Sequence, residues 1–75
     1  MIDLTKGQTL LYIYNKLESE KVIIKAEIMD ECGLTDITFK RYIAEIRAYI
    51  KNFESHHEIK YVRKKDIYLL VKVGK

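Results

Sequence analysis

Residues 34–53, LTDITFKRYIAEIRAYIKNF, place Phe39, Ile43, Ile46, Ile50 and Phe53 at steps of four, three, four and three. Those steps return side chains to one side of a helix and would scatter them over both faces of a strand. At 100° per residue the five side chains stay within about 40° of one direction. The spacing therefore predicts a helix over 36–53 with a continuous apolar stripe. Such a stripe must be covered by a second layer, so the rest of the chain has to supply one. The opposite side carries Ile37, Arg41, Ala44 and Ala48, flanked by Lys40, Glu45, Lys51 and Asn52. Two alanines behind an arginine leave room there for something bulky to approach.

The residues before this helix set how it begins. Ile28, Met29 and Cys32 supply the buried positions of a helix over 25–32, and Gly33 stops it by taking the left-handed conformation without steric penalty. Leu34 closes that turn, Thr35 is the N-cap of the long helix, and Asp36 sits favourably in its first turn. Only a few residues separate the two helices, as a helix-turn-helix requires. Upstream, Thr5 caps a first helix over 5–19, with Leu10, Ile13, Tyr14 and Leu17 on one face and Leu11 widening it. Gly7 weakens the start of that helix by about 1 kcal/mol. The polar segment 19–21 breaks the periodicity, and Val22, Ile23 and Ile24 are β-branched and suit a very short strand. After the polar connector Glu54, Ser55, His56, His57 and Glu58, two alternating runs within 58–73 flank Lys64, Lys65 and Asp66 and read as a hairpin.

Seventy-five residues make one small domain spanning 1–75, in which only about 60 to 65% of the unfolded surface can be buried. A deep enzyme cleft does not fit that size. A composition that is 48% hydrophobic and 33% charged is that of a folded globular chain. The single cysteine, Cys32, excludes an intramolecular disulfide framework and suits a reducing cytoplasm. No apolar run approaches the roughly 20 residues of a membrane span, and the N-terminus lacks the order of a signal peptide. The expectation is a soluble cytoplasmic protein.

Charge is unevenly distributed along the chain. Residues 1–37 hold four lysines against seven acidic residues, a balance of −3, whereas residues 38–75 hold ten Lys or Arg against four acids, a balance of +6. A basic partner-facing surface would thus belong to the second half. Adjacent His56 and His57 on a short connector do not preorganise a metal site. Ser55 beside a histidine lacks an orienting third group and an oxyanion site. Cys32 at an apolar helix position reads as a small core residue. No glycine-rich phosphate loop is present. No cofactor, metal or catalysis is expected. The six tyrosines are spread over every element, and only Tyr61 and Tyr68 could form a stacking platform for single-stranded nucleic acid.

Taken in order, these elements resemble a winged helix-turn-helix domain, and specifically the N-terminal DNA-binding domain of bacterial regulators of the deoxyribonucleoside-repressor and WYL types. The resemblance rests on Thr35, Asp36, Ile37, Thr38, Phe39, Lys40, Arg41, Tyr42 and Ile43. They follow the family's recognition-helix pattern of Ser/Thr, two residues, Thr, a hydrophobic residue and two basic ones. Tyr68 and Leu70 match the ending of the family's hairpin wing. The chain departs from the pattern at Tyr42, where an acidic residue is common, and at Met29, where a small one is. The resemblance implies an α+β fold and double-stranded DNA as partner, in transcriptional regulation. It also implies a homodimer, or a C-terminal effector-sensing or oligomerising domain.

The expected DNA-facing residues are Thr35, Ile37, Thr38, Lys40, Arg41, Ala44, Glu45 and Lys51 on the helix, with Arg63, Lys64 and Lys65 at the hairpin tip. Recognition helices reach base edges through their N-terminal residues. Arg41 can donate two hydrogen bonds to guanine, and Thr38 can bond a phosphate or meet a thymine methyl. Ile37 would make a hydrophobic base contact, while the hairpin cations would follow the phosphate backbone. The bland reading of Thr38 is that it only supports the helix start, and that of the cations is a solvated face or a hairpin kept soluble. A rival function is protein interaction without direct DNA binding, through an apolar patch of Ile37, Tyr42, Ile46 and Tyr49.

Overall fold

The computed structural model describes residues 4–53 and 56–73. Within them the order is α1 (Lys6–Glu20), β1 (Val22–Ile24), α2 (Lys25–Cys32), α3 (Asp36–Phe53), β2 (His57–Val62) and β3 (Ile67–Lys72). The three strands form one antiparallel sheet in the order β1-β3-β2. The architecture is thus α+β, three helices and a three-stranded antiparallel sheet. Glu54 and Ser55 of the expected polar connector lie outside the described residues. No helix among those described is long and apolar enough to cross a membrane.

Local chemistry accounts for the helix ends. The Thr5 hydroxyl accepts from the Gln8 backbone N–H at 3.2 Å, and the Gln8 side-chain carbonyl accepts from the Thr5 N–H at 3.1 Å. This reciprocal cap satisfies two donors that a helix start leaves open and offsets the presence of Gly7. α1 runs to Glu20 and not to Ser19, because Lys21 is the residue that turns left-handed, with its N–H on the Leu17 carbonyl at 2.9 Å. The Lys21 carbonyl then accepts from Leu70 N–H of β3 at 2.9 Å, so the helix end is joined directly to the sheet. Gly33 closes α2 at φ 67° and ψ 40°, and Leu34 N–H bonds the Met29 carbonyl at 2.9 Å. Thr35 caps α3 by accepting from Thr38 N–H at 3.2 Å.

The core lies between the helices and one face of the sheet. Ile13 and Leu17 from α1, Ile28 from α2, and Phe39, Ile43, Ile46 and Ile50 from α3 meet Ile23, Ile59, Tyr68 and Leu70 from the strands. Met29 and Cys32 are half-buried against this cluster, and burial raises the Cys32 thiol pKa. Tyr12 of α1 donates to the Glu31 carboxylate of α2. That bond, ahead of burial, pushes the phenol pKa up to about 12.

Two expected core positions are not core. Phe53 is 73% exposed although it continues the buried stripe of α3. It is the last residue of the helix, and periodicity sets a direction without guaranteeing that a covering layer extends that far. Its ring packs instead on Tyr49 with centroids 5.0 Å apart, and Tyr49 meets Tyr14 of α1 edge-on at 5.7 Å. Leu11 is 63% exposed because the sheet and α3 cover the Leu10, Ile13 and Leu17 side of α1 and leave the next position at a groove rim.

β3 alternates as a half-buried strand does, and β2 does so only up to Lys60, since Tyr61 on the face of Ile59 is exposed. Ile59 of β2 faces the core while Lys60 and Tyr61 are exposed; Tyr68 and Leu70 of β3 face inward. The hairpin pairs His57 with Lys72 and Val62 with Ile67, so its connection is residues 63–66. Asp66 closes the turn at φ 54°, stabilised by the Tyr61 hydroxyl donating to its carboxylate at 2.6 Å. Asp is among the few non-glycine residues that visit this region readily.

Candidate nucleic-acid interface

The solvent-facing half of α3 carries most of the expected residues. Ile37 is 64% exposed in its first turn, and Lys40, Arg41, Ala44, Ala48 and Lys51 are exposed along it. Thr35 and Thr38 are committed to the helix start. The Thr35 hydroxyl accepts from the Thr38 backbone and donates to the Thr38 hydroxyl at 3.0 Å. That leaves one O–H donor on Thr38 for an outside acceptor.

Glu45 is placed elsewhere. It forms an ion pair with Lys6 of α1 at 2.9 Å and lines the groove between α1 and α3. Its carboxylate raises the Lys6 pKa through that hydrogen bond first and by charge second. Its carboxylate is turned toward α1, although Glu45 stands one helical turn on from Arg41.

Arg47 stands on the same helix edge as Lys40 and Lys51 and is absent from the expected set. It stands seven residues after Lys40 and four before Lys51, which puts the three cations within about 40° of one another around the helix. That spacing was the available signal. Arg41, Ala44 and Ala48 point outward beside this edge, and the packing shows that the edge itself faces the hairpin. The Arg47 guanidinium donates to the Ile59 carbonyl of β2 at 3.4 Å. With Lys25, Lys40, Ile43, Tyr61 and Tyr68 it lines an open cavity of ≈ 350 Å³ between α3 and the hairpin.

Lys25 is the second residue that local pattern did not single out. Its Nζ is paired with the Asp36 carboxylate, whose other oxygen takes Lys40 at 3.1 Å. The Lys25 hydrogen bond, and then that of Lys40, holds the Asp36 carboxyl below its ordinary value. The Lys25 backbone N–H also donates to the Asp66 carbonyl at 3.4 Å. One residue thus joins the hairpin turn to the start of α3. Arg63, Lys64 and Lys65 are exposed on that turn. Among the described residues, Arg41, Arg47, Lys51, Arg63, Lys64 and Lys65 form no ion pair. Their charge is therefore not neutralised within the described part of the chain.

The apolar patch expected for a protein partner is not continuous. Ile46 is buried, Tyr42 is half-buried against the core, and Ile37 lies about 120° around α3 from Tyr49. In its place is a groove of ≈ 340 Å³ between α1 and α3, lined by Leu10, Leu11, Tyr14, Ile46 and Tyr49 as well as Glu45. The tyrosine pair on the sheet is in contact, with centroids 4.8 Å apart, but only one ring of it is exposed. Tyr68 is buried against Phe39, which leaves Tyr61 alone toward solvent. A platform for successive unpaired bases needs more than one exposed ring.

His56 is exposed and His57 is half-buried at the start of β2. Among the described residues no group of three His, Cys, Asp or Glu side chains is placed to hold a metal ion. Comparison with known proteins adds no relative: no family model, curated protein or solved structure matches the chain.

Proposed function

We propose that the chain is a winged helix-turn-helix module that binds double-stranded DNA in transcriptional regulation, with α3 as the recognition helix and the β2–β3 hairpin as the wing. The observation that carries this reading is the junction at Lys25. Through Asp36 and the Asp66 carbonyl it holds a basic hairpin tip beside the start of a helix whose outer side bears Lys40, Arg41, Arg47 and Lys51. Cations from two separate elements are thus presented together, as simultaneous contact with a groove and its flanking phosphates requires. Ala44 and Ala48 keep the outer side of the helix shallow. Arg41 would reach base edges, while Lys40, Arg47, Lys51 and the tip would meet phosphates.

The test is binding of random-sequence duplex DNA at low and moderate salt, with the triple variant Arg41→Ala, Lys64→Ala, Lys65→Ala alongside. Phosphate contacts release counterions, so affinity should fall steeply with salt and the variant should bind more weakly with a shallower dependence. Absence of binding at low salt, or a triple variant that binds like the parent, would sink the DNA reading.

A second reading is protein interaction without direct DNA binding. The groove between α1 and α3 favours it, since Leu11 and the Tyr49–Phe53 pair leave apolar surface in water at its rim. That reading expects no binding of duplex DNA at any salt concentration.

A further inference from the structure

Ile37 is the most exposed isoleucine among the described residues, at 64%, while Ile13, Ile23, Ile28, Ile43, Ile46, Ile50 and Ile59 are all buried. It does not belong to the apolar groove between α1 and α3, because Tyr49 points about 120° away around the helix. Its neighbours one turn on are Lys40 and Arg41, both exposed. A surface that meets Arg41 therefore also meets Ile37.

This inference rests on the proposal that α3 enters a major groove. The floor of that groove offers hydrogen-bond donors and acceptors on every base pair and a single apolar group, the C5-methyl of thymine. Isoleucine has no hydrogen-bonding group. Placed over any other base edge, it would displace water from polar atoms and return nothing. The same methyl group occurs on 5-methylcytosine, so the shared chemistry is a C5-methylated pyrimidine. Side chains at i and i+4 are about 6 Å apart, and successive base pairs rise 3.4 Å.

We propose that Ile37 reads the C5-methyl group of a pyrimidine in the major groove, within about two base pairs of a guanine held by Arg41. Ile37 is then a specificity-determining residue. It adds little to binding of arbitrary DNA and selects among sites.

The experiment begins with selection of duplexes from a random pool on the full chain. The enriched duplex is then remade with each thymine replaced in turn by deoxyuridine, which removes only the methyl. At one position the replacement should weaken binding about three- to fivefold, the scale of one methyl group withdrawn from contact. Ile37→Ala should bind the thymine and uridine duplexes equally. Arg41→Ala should remove the preference for a G·C pair within two positions of it. A cytosine placed at the same position, with and without its methyl, separates the two sources: a gain on methylation admits 5-methylcytosine, and no gain assigns the site to thymine. Equal binding of every uridine duplex, or a difference that survives Ile37→Ala, overturns the inference while DNA binding stands. A pool from which nothing is retained overturns both.

Discussion

The ring of Phe39 meets that of Tyr68 edge-on, with centroids 5.4 Å apart and planes at 62°. Phe39 is fully buried in the first turns of α3, and Tyr68 is the second residue of β3, the central strand, paired on one side with Ile23 and on the other with Tyr61. Tyr61 in turn packs on Tyr68 with centroids 4.8 Å apart. One aromatic contact therefore fixes the start of α3 against the strand that both other strands share. It is one of the core contacts that join the helix to the sheet.

Truncating Phe39→Ala should destabilise the fold by about 3–5 kcal/mol, the usual cost of removing a buried phenylalanine ring. A domain of this size has a total stability near that figure, so urea denaturation should show the variant largely unfolded before denaturant is added. Ile37→Ala, on the exposed side of the same helix, should stay within about 0.5 kcal/mol of the parent.

Loss of the Thr35 cap is a milder and local test. Thr35→Ala removes the acceptor of the Thr38 N–H and should cost about 1 kcal/mol. Thermal unfolding should show that decrease. Thr38→Ala leaves the capping oxygen in place and should cost less.

Acid stability should depend on Asp36. Its carboxyl is held below the ordinary value by the Lys25 hydrogen bond first and that of Lys40 second. A depressed carboxylate pKa contributes stability that is present above the unfolded value of about 3.9 and is lost as pH falls through the lower folded value. Melting temperatures of the parent should therefore drop more steeply below about pH 4 than those of Asp36→Asn. Parallel curves for the two proteins over pH 2–6 would contradict this assignment.

Arg47→Ala should act on duplex binding with little effect on specificity. Losing one phosphate contact reduces the slope of log affinity against log salt by about 0.9. The slope measured on random-sequence duplex should therefore be shallower, while Glu45→Gln, whose partner is Lys6 on α1, should leave it unchanged.

Much of the fold was legible because its signals are local. The stripe of Phe39, Ile43, Ile46 and Ile50, the left-handed Gly33 and the Thr35 cap all depend on residues three or four apart, and each is as expected. The hairpin was legible from alternation, with its bounds displaced by one residue at each end. Thr5 was recognisable as a cap, and Gln8 completes the reciprocal bond that a single capping residue does not announce. The pairing of Lys25 with Asp36 gave no such signal, because it spans a helix and a turn.

By itself, then, the sequence determined where α2 and α3 start and stop, where α1 does to within one residue, and which direction each face points, since backbone geometry converts spacing into direction within a few residues. Tertiary structure decided how far the cover extends and which edges meet. It left Phe53 and Leu11 in water because no layer reaches them, and it turned Glu45 to Lys6. It also set Arg47 and Lys25 beside the hairpin. Those outcomes depend on where the sheet packs on α3, and that is governed by burial shared among residues far apart in the chain.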